Sequence, residues 1–300
     1  MESKAFAKIN LHLEVLNKRQ DGFHEILSLM AEVDVFDLLK FVETRPSEKV
    51  SVSILPDGGD YADIIRGIPE GENLIAKAVR AYCTKAGITG EYVFSITKNI
   101  PAGAGMGGGS ADAAAALRLM NTRLECLSPG KLASVALEVG ADVPFCLAGG
   151  MAVCRGIGER IERLAAMPDW TVLVADMGIH VDTGAAYAML GRGAEPRFDE
   201  SAIRRRIERL RAALASGRLE DLCGEARNDF ESVVFERQPA IREARDRLLR
   251  NGAPCAFMTG SGSAVVGLFY GEDDAKRAGD ELSGLARSVR ITKFAGARRC

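Results

Sequence analysis

From residue 5 to 16 the chain reads AFAKINLHLEVL, and apolar and polar positions alternate with the period of a strand. Ile9, Leu11, Leu13 and Val15 fall on one face and Lys8, Asn10, His12 and Glu14 on the other. The Asp-Gly pair in QDGFHE predicts a turn, followed by strand-like runs over 26–42 and 49–55 and then a loop rich in Gly, Asp and Pro. A helix is expected from about Asn73 to Lys85. EYVFSITKNI alternates again as a strand that Pro101 stops, and AAAALRLMN is helical by its Ala and Leu content. Between those two lies GAGMGGGSAD, so the order is strand, glycine loop, helix. Ser128 as N-cap and Pro129 at the first helical position predict a helix to Val139 that ends at Gly140, and Gly149 and Gly150 close this half.

Beyond about residue 158 the pattern changes. A strand (WTVLVADMG), an Arg-rich helix, a helix ending at Asn251-Gly252, a strand (AVVGLFY) and a final helix and strand describe a second α+β domain. At 300 residues the chain fits two domains of about 150 residues each, here 1–158 and 159–300. Within 201–216 the stripe Ile203, Ile207, Leu210, Leu214 faces inward, and the five arginines lie mostly opposite, as a solvated face.

Composition narrows the function classes. Charged residues make up 27% with a net charge of −2, which gives no support to a nucleic-acid or membrane partner. No apolar run approaches the roughly 18 residues of a membrane span, and the N-terminus lacks a basic start followed by an apolar block, so a cytoplasmic protein is expected. Seven scattered cysteines (Cys83, Cys126, Cys146, Cys154, Cys223, Cys255, Cys300) without a C-x-x-C pair suit reduced thiols. His12, His24 and His180 are the only histidines and form no H-E-x-x-H, which removes the main signal for zinc chemistry.

The strongest chemical signal is glycine. Five of the seven residues from Gly103 to Gly109 are glycine, so successive backbone N–H groups can turn towards an anion, and the helix that follows adds its positive end. This is a phosphate cradle. It is not a Walker loop, because the one Gly-Lys pair, Gly130-Lys131, is followed by Leu132. Gly103, Gly105 and Gly108 satisfy G-x-G-x-x-G, yet helix and RLECLSPG occupy the window where a dinucleotide fold needs a strand ending in an acid. The protein-kinase hallmarks His-Arg-Asp and Asp-Phe-Gly are missing as well.

Three blocks together, AKINLHLEV, PAGAGMGGGSADAAAAL and APCAFMTGSGSAVVGLF, resemble the GHMP small-molecule kinases in order and distance. The resemblance implies an α+β, two-domain GHMP kinase fold with an N-terminal ribosomal-S5-domain-2-like domain and a C-terminal ferredoxin-like domain, and a substrate cleft between them. It also implies ATP as co-substrate and Mg²⁺ as cofactor. KINLHLEVLNKRQDGFHEI, GENLI, GADVPFCLAGG and RNDFE narrow it to members that phosphorylate the 2-hydroxyl of 4-(cytidine 5′-diphospho)-2-C-methyl-D-erythritol, in the non-mevalonate (MEP) isoprenoid precursor pathway.

Roles for individual residues follow from the resemblance. Asp142, which by residue type alone suits a cap or turn after Gly140, corresponds to the general base, and Lys8, otherwise a surface lysine on a strand, to its charge partner. ATP falls to Lys98 near the adenine and to Pro101, Ala102, Gly103, Ala104, Gly105, Met106, Gly107, Gly108, Gly109, Ser110 and Ala111. Ser110 suits a phosphate, Mg²⁺ or the cap of the next helix. A cytosine needs flat apolar faces and an edge partner, for which Phe23 and Tyr187 supply the faces and His24 the edge. Phe23 stands where many relatives carry tyrosine. Asn10, Asn73 and Thr183 are polar substrate contacts, and Gly260, Ser261 and Gly262 match a loop closing over the site, with a hairpin turn as the competing reading. The sequence marks no Mg²⁺ ligand; Asp112 is expected on the helix. The expected partner is a small molecule bearing cytidine diphosphate, with the chain a monomer or weak homodimer. A nicotinamide-dependent oxidoreductase and an RNA-binding module on an S5-like fold are the rival readings.

Overall fold

A computed structural model describes residues 1–69, 71–165 and 168–296; Cys300 lies outside the described residues. Its first compact unit comprises Met1–Lys8, Val35–Ala102 and Gly107–Gly149. Two long strands, β1 (Glu2–Lys18) and β2 (His24–Arg45), pair with each other and begin or end here. The later half of β2 pairs antiparallel with β4 (Gly90–Thr97), placing Phe41 opposite Phe94, and β4 pairs in parallel with β3 (Val50–Pro56). Helices Leu74–Ala86, Gly108–Leu124 and Pro129–Val139 pack on one another. The buried side of Gly108–Leu124 includes Ala111 and Ala113–Ala116, whose single methyls let neighbouring backbones come close. Ser128 stands at the N-cap of Pro129–Val139 as the sequence predicts, but its side chain makes no capping hydrogen bond.

The second unit comprises Ile9–Asp34, Gly103–Met106 and the chain from Gly150. Here the earlier half of β2 pairs antiparallel with β5 (Met151–Gly156), and β5 with β6 (Arg160–Leu164). A separate antiparallel sheet has the order β10-β7-β9-β8, built from β7 (Thr171–Asp176), β8 (Cys255–Met258), β9 (Val265–Phe269) and β10 (Ser288–Lys293). Helices Pro239–Arg250 and Glu272–Asp280 pack on this sheet, which is the α+β arrangement expected of the C-terminal half. The units differ from a single division after residue 158: the chain changes unit inside β1, near the middle of β2, on either side of Gly103–Met106, and at Gly149/Gly150. Among the described residues no helix is long and apolar enough to cross a membrane.

β1 departs from the sequence expectation in one respect. Its polar face is not solvated: Lys8, Asn10, His12 and Glu14 are all buried. Glu14, fully buried in the second unit, accepts from Arg227 Nη1 at 2.9 Å, with Arg206 Nη1 also at 2.9 Å and His12 Nε2 at 3.4 Å from its carboxylate. Burial alone pushes that carboxyl up, but the Arg227 hydrogen bond and the nearby His12 and Arg206 outweigh burial and hold it at about 2, against an ordinary 4.5. Arg206 therefore leaves the solvated face expected for Glu200–Ala215. Arg204, Arg205 and Arg209 of that helix are exposed, Ile203, Ile207 and Leu210 are buried, and Leu214 is half-buried.

A carboxylate with a depressed folded-state pKa stabilises above its unfolded value and loses that contribution as pH falls. Glu14→Gln is expected to cost about 1–3 kcal/mol near neutral pH in urea unfolding. The wild type should lose stability between pH 4.5 and about 2 more steeply than the variant; parallel pH profiles would show that Glu14 does not carry this charge.

Candidate active site

In the first unit the polar face of β1 delivers Lys8 to Asp142. Lys8 Nζ lies 3.3 Å from Asp142 Oδ2, with the lysine side chain 5% exposed and the aspartate side chain 32% exposed. Asp142 occupies the N-cap position of the short helix Val143–Ala148, where Pro144 fills the first turn, but its side chain makes no capping hydrogen bond. The capping alternative therefore fails on geometry, and the carboxylate is turned to the lysine. Gly107 sits against the Lys8 stem at a left-handed φ of 68°; a Cβ there would come within 2.9 Å of Lys8 Cγ. Gly107 is also the N-cap of Gly108–Leu124, and having no side chain it leaves that end uncapped and open to an anion. Ser110, half-buried in the first turn, is not the cap of this helix.

Lys98, which the resemblance puts near the adenine, is held by ion pairs inside the first unit. Its ammonium is buried between Asp37 and Asp112, 2.8 Å from Asp112 Oδ2 and in direct ion pairing with Asp37. Asp37 also accepts from the backbone N–H groups of Asn99 and Ile100. Burial works against the Lys98 charge, but the two carboxylates outweigh it and raise its pKa, while burial pushes the Asp112 carboxyl up. The side chain thus locks the end of β4 to the start of the glycine helix, and its backbone carbonyl accepts from Tyr61 N–H at 3.0 Å. Sequence pattern does not single out Asp37, because the run VDVFDLL carries a second acid, Asp34, and periodicity does not say which of the two is buried. Asn73 is an N-cap: its Oδ1 accepts from Ile75 N–H at 2.9 Å, ahead of Leu74–Ala86.

The second unit gathers another group. Asn10 N–H donates to Thr259 Oγ1 and its Nδ2 to Ser28 Oγ, each at 2.9 Å. Gly105, at a φ of 79°, lies against the 259–262 loop so closely that a Cβ would collide with the Thr259 carbonyl oxygen. Thr183 Oγ1 and Ser261 Oγ are 2.8 Å apart, so these two expected contacts share one hydrogen bond. His24 lies parallel to Tyr187 at 4.5 Å between ring centroids, and Phe230 meets Tyr187 edge-on at 4.8 Å. The stack engages the face of the His24 ring and not its edge, and burial and Lys18 lower its pKa, favouring the neutral ring. Phe23 is 54% exposed. Of the loop residues expected at ATP, Pro101, Ala104, Met106, Gly108 and Ala111 are buried and Ala102, Gly103 and Gly109 exposed.

The GHMP kinases N terminal domain model matches residues 73–150 and the GHMP kinases C terminal model residues 202–286. The chain is 35% identical to 4-diphosphocytidyl-2-C-methyl-D-erythritol kinase of Caldicellulosiruptor bescii, over 97% of each chain. With the kinase of the same name from Solibacter usitatus it shares 38% identity, over 96% of this chain and 87% of the other. A crystal structure of 4-(cytidine 5′-diphospho)-2C-methyl-D-erythritol kinase superposes with a TM-score of 0.75 at 32% identity, covering 98% of this chain and 99% of that one. Homoserine kinase from Cytophaga hutchinsonii, 18% identical with a TM-score of 0.70 over 96% of this chain and 94% of that one, shares the fold.

Removing the Lys98 amine leaves two buried carboxylates facing each other, so Lys98→Met is expected to destabilise by about 3–5 kcal/mol in urea unfolding. A loss below about 1 kcal/mol, the range of exposed ion pairs, would contradict the locking role.

Proposed function

The chain belongs to the 4-diphosphocytidyl-2-C-methyl-D-erythritol kinases, a family of the GHMP kinases, and we propose that it phosphorylates the 2-hydroxyl of 4-(cytidine 5′-diphospho)-2-C-methyl-D-erythritol with Asp142 as general base and Lys8 as its charge partner. It is an ATP-dependent kinase of the MEP pathway. The observation that carries the residue roles is the 3.3 Å pair of Lys8 and Asp142, held beside Gly107 at the open end of a glycine-rich helix.

Phosphoryl transfer asks the protein for positioning and for compensation of charge rather than for covalent chemistry. Asp142, the more exposed partner, takes the proton of the substrate hydroxyl. The hydroxyl oxygen then bonds to the γ-phosphorus, the bond from that phosphorus to the bridging oxygen breaks, and ADP leaves with the bridging electrons. Lys8, fixed by burial, offsets negative charge on the transferring group. The first-turn N–H groups of Gly108–Leu124 and the glycines before it hold the ATP phosphates.

Mg²⁺ supplies further neutralisation when bound with the nucleotide. Among the described residues no cluster of three His, Cys, Asp or Glu side chains would hold a metal by itself. Ser110, half-buried in the first turn of Gly108–Leu124, would contribute its hydroxyl. Asp112 does not fit, since it is buried and its Oδ2 is held by Lys98. The cytosine stacks on Tyr187 and on the exposed ring of Phe23, with the edge of His24 as its hydrogen-bond partner.

Asp142→Asn keeps the shape and removes the base. Its kcat is expected to fall about 10²- to 10⁴-fold with ATP affinity retained, read by steady-state ADP release and nucleotide titration; near-normal turnover would take Asp142 out of the mechanism. Tyr187→Ala is expected to raise KM for the cytidine substrate about 5- to 100-fold, the range of base–aromatic stacking, and KM for ATP far less. Equal rises in both would count against stacking.

A further inference from the structure

The RNDFE segment, residues 227–231, has no role in the reaction as derived so far, yet its five consecutive residues reach three parts of the second unit. Leu13 N–H donates to the Arg227 carbonyl at 2.7 Å and Asp229 N–H to the Leu13 carbonyl at 2.9 Å, so the segment adds itself to β1 as a short parallel bridge. Asp229 Oδ2 accepts from Val15 N–H at 3.0 Å and from Arg192 and Arg197 at 3.0 and 2.8 Å. Glu231 Oε1 accepts from Met258 N–H at 2.8 Å, and Phe230 is the ring that meets Tyr187 edge-on.

Asn228 sits at the centre of this arrangement, 6% exposed. Its Nδ2 donates to the carbonyls of Met258 and Gly260, at 2.7 and 2.8 Å, and its Oδ1 accepts from Phe230 N–H at 3.0 Å. Two carbonyl oxygens converging on one nitrogen require the amide NH₂; a carboxylate would repel them and a hydroxyl would reach one. The loop so held carries Thr259 against Asn10, Ser261 against Thr183, and a backbone wall against Gly105. It is tied down elsewhere by Gly262 N–H to the Thr259 carbonyl and Ala264 N–H to the Ala104 carbonyl, both at 3.0 Å.

We infer that Asn228 is a positioning residue for the reaction, setting the Thr259–Gly262 loop through its two carbonyl bonds while the neighbouring Phe230 sets the Tyr187 ring. One short segment thereby places both the loop and the aromatic surface for the substrate. This rests on the reading of Gly260–Gly262 as part of the substrate site. Asn228 touches no reacting atom; its effect is transmitted through the loop.

Asn228→Asp tests it, because the carboxylate still accepts from Phe230 N–H but loses both donors. Amide hydrogen exchange over 259–264 is expected to accelerate at least about tenfold while exchange over β7 stays at the wild-type rate, since only the local opening equilibrium changes. With the cytidine substrate, kcat is expected to fall about 10- to 100-fold, the scale of a misplacement of about 1 Å, with a smaller change in KM for ATP. Asn228→Ser, which retains one donor, is expected to fall between the two and serves if the aspartate variant does not fold. Wild-type exchange in the loop, or acceleration spread evenly over β7 and the loop in both variants, would overturn the inference and leave Asn228 merely structural. If the wild type does not turn over the cytidine substrate, the functional reading fails, and the exchange measurement still decides whether Asn228 sets the loop.

Discussion

The architecture depends on a row of polar side chains buried along one face of β1. Lys8, Asn10, His12 and Glu14 occupy alternate positions of a strand whose other face is apolar, and none of the four is solvated. A buried charge or amide is costly unless it is paired, so each demands a partner from a distant part of the chain. Lys8 takes Asp142. Asn10 takes Ser28 and, through its backbone, Thr259. His12 meets the Glu225 carbonyl at 3.1 Å, and Glu14 takes Arg206 and Arg227. The segments that answer this demand carry the proposed base, the Thr259–Gly262 loop and the RNDFE segment.

The glycine-rich segment works under a second constraint, space. Gly107 must let the Lys8 stem pass and Gly105 must let the Thr259 carbonyl approach, and at both positions a left-handed backbone and a missing Cβ are needed together. The same lack of side chains leaves the N-terminus of Gly108–Leu124 open to an anion. Behind it, Lys98 with Asp37 and Asp112 anchors the helix start from below. Binding capacity and close packing thus arise from one composition, and this explains why glycine is concentrated here.

Much of this was legible beforehand because it is local. The alternation of β1, the helix that begins at about Asn73, the glycine loop between strand and helix, and the α+β character of the second half follow from periodicity and turn chemistry read over a few residues. What periodicity does not reveal is whether a polar face is covered. Lys8 and Glu14 look like solvated strand residues until Asp142, Arg206 and Arg227 are brought to them. The resemblance puts Lys98 near the adenine, and periodicity does not reveal that its ammonium pairs with two buried carboxylates, Asp37 and Asp112. His24 stacks on Tyr187, a pairing between distant segments that local pattern does not encode. The compact units likewise do not follow a single break in the chain, because β1 and β2 each contribute to both, and no composition shift marks such a division.

The central claim is that this chain directs ATP to one alcohol, held by a cytosine-binding aromatic group and activated at Asp142. The most direct test is ADP release from Mg-ATP with the wild-type protein, offered in turn 4-(cytidine 5′-diphospho)-2-C-methyl-D-erythritol, homoserine and mevalonate. Turnover with the cytidine compound alone, giving a product phosphorylated at the 2-hydroxyl, is the predicted result. Turnover with homoserine or mevalonate at a comparable rate, or none with the cytidine compound, would contradict it.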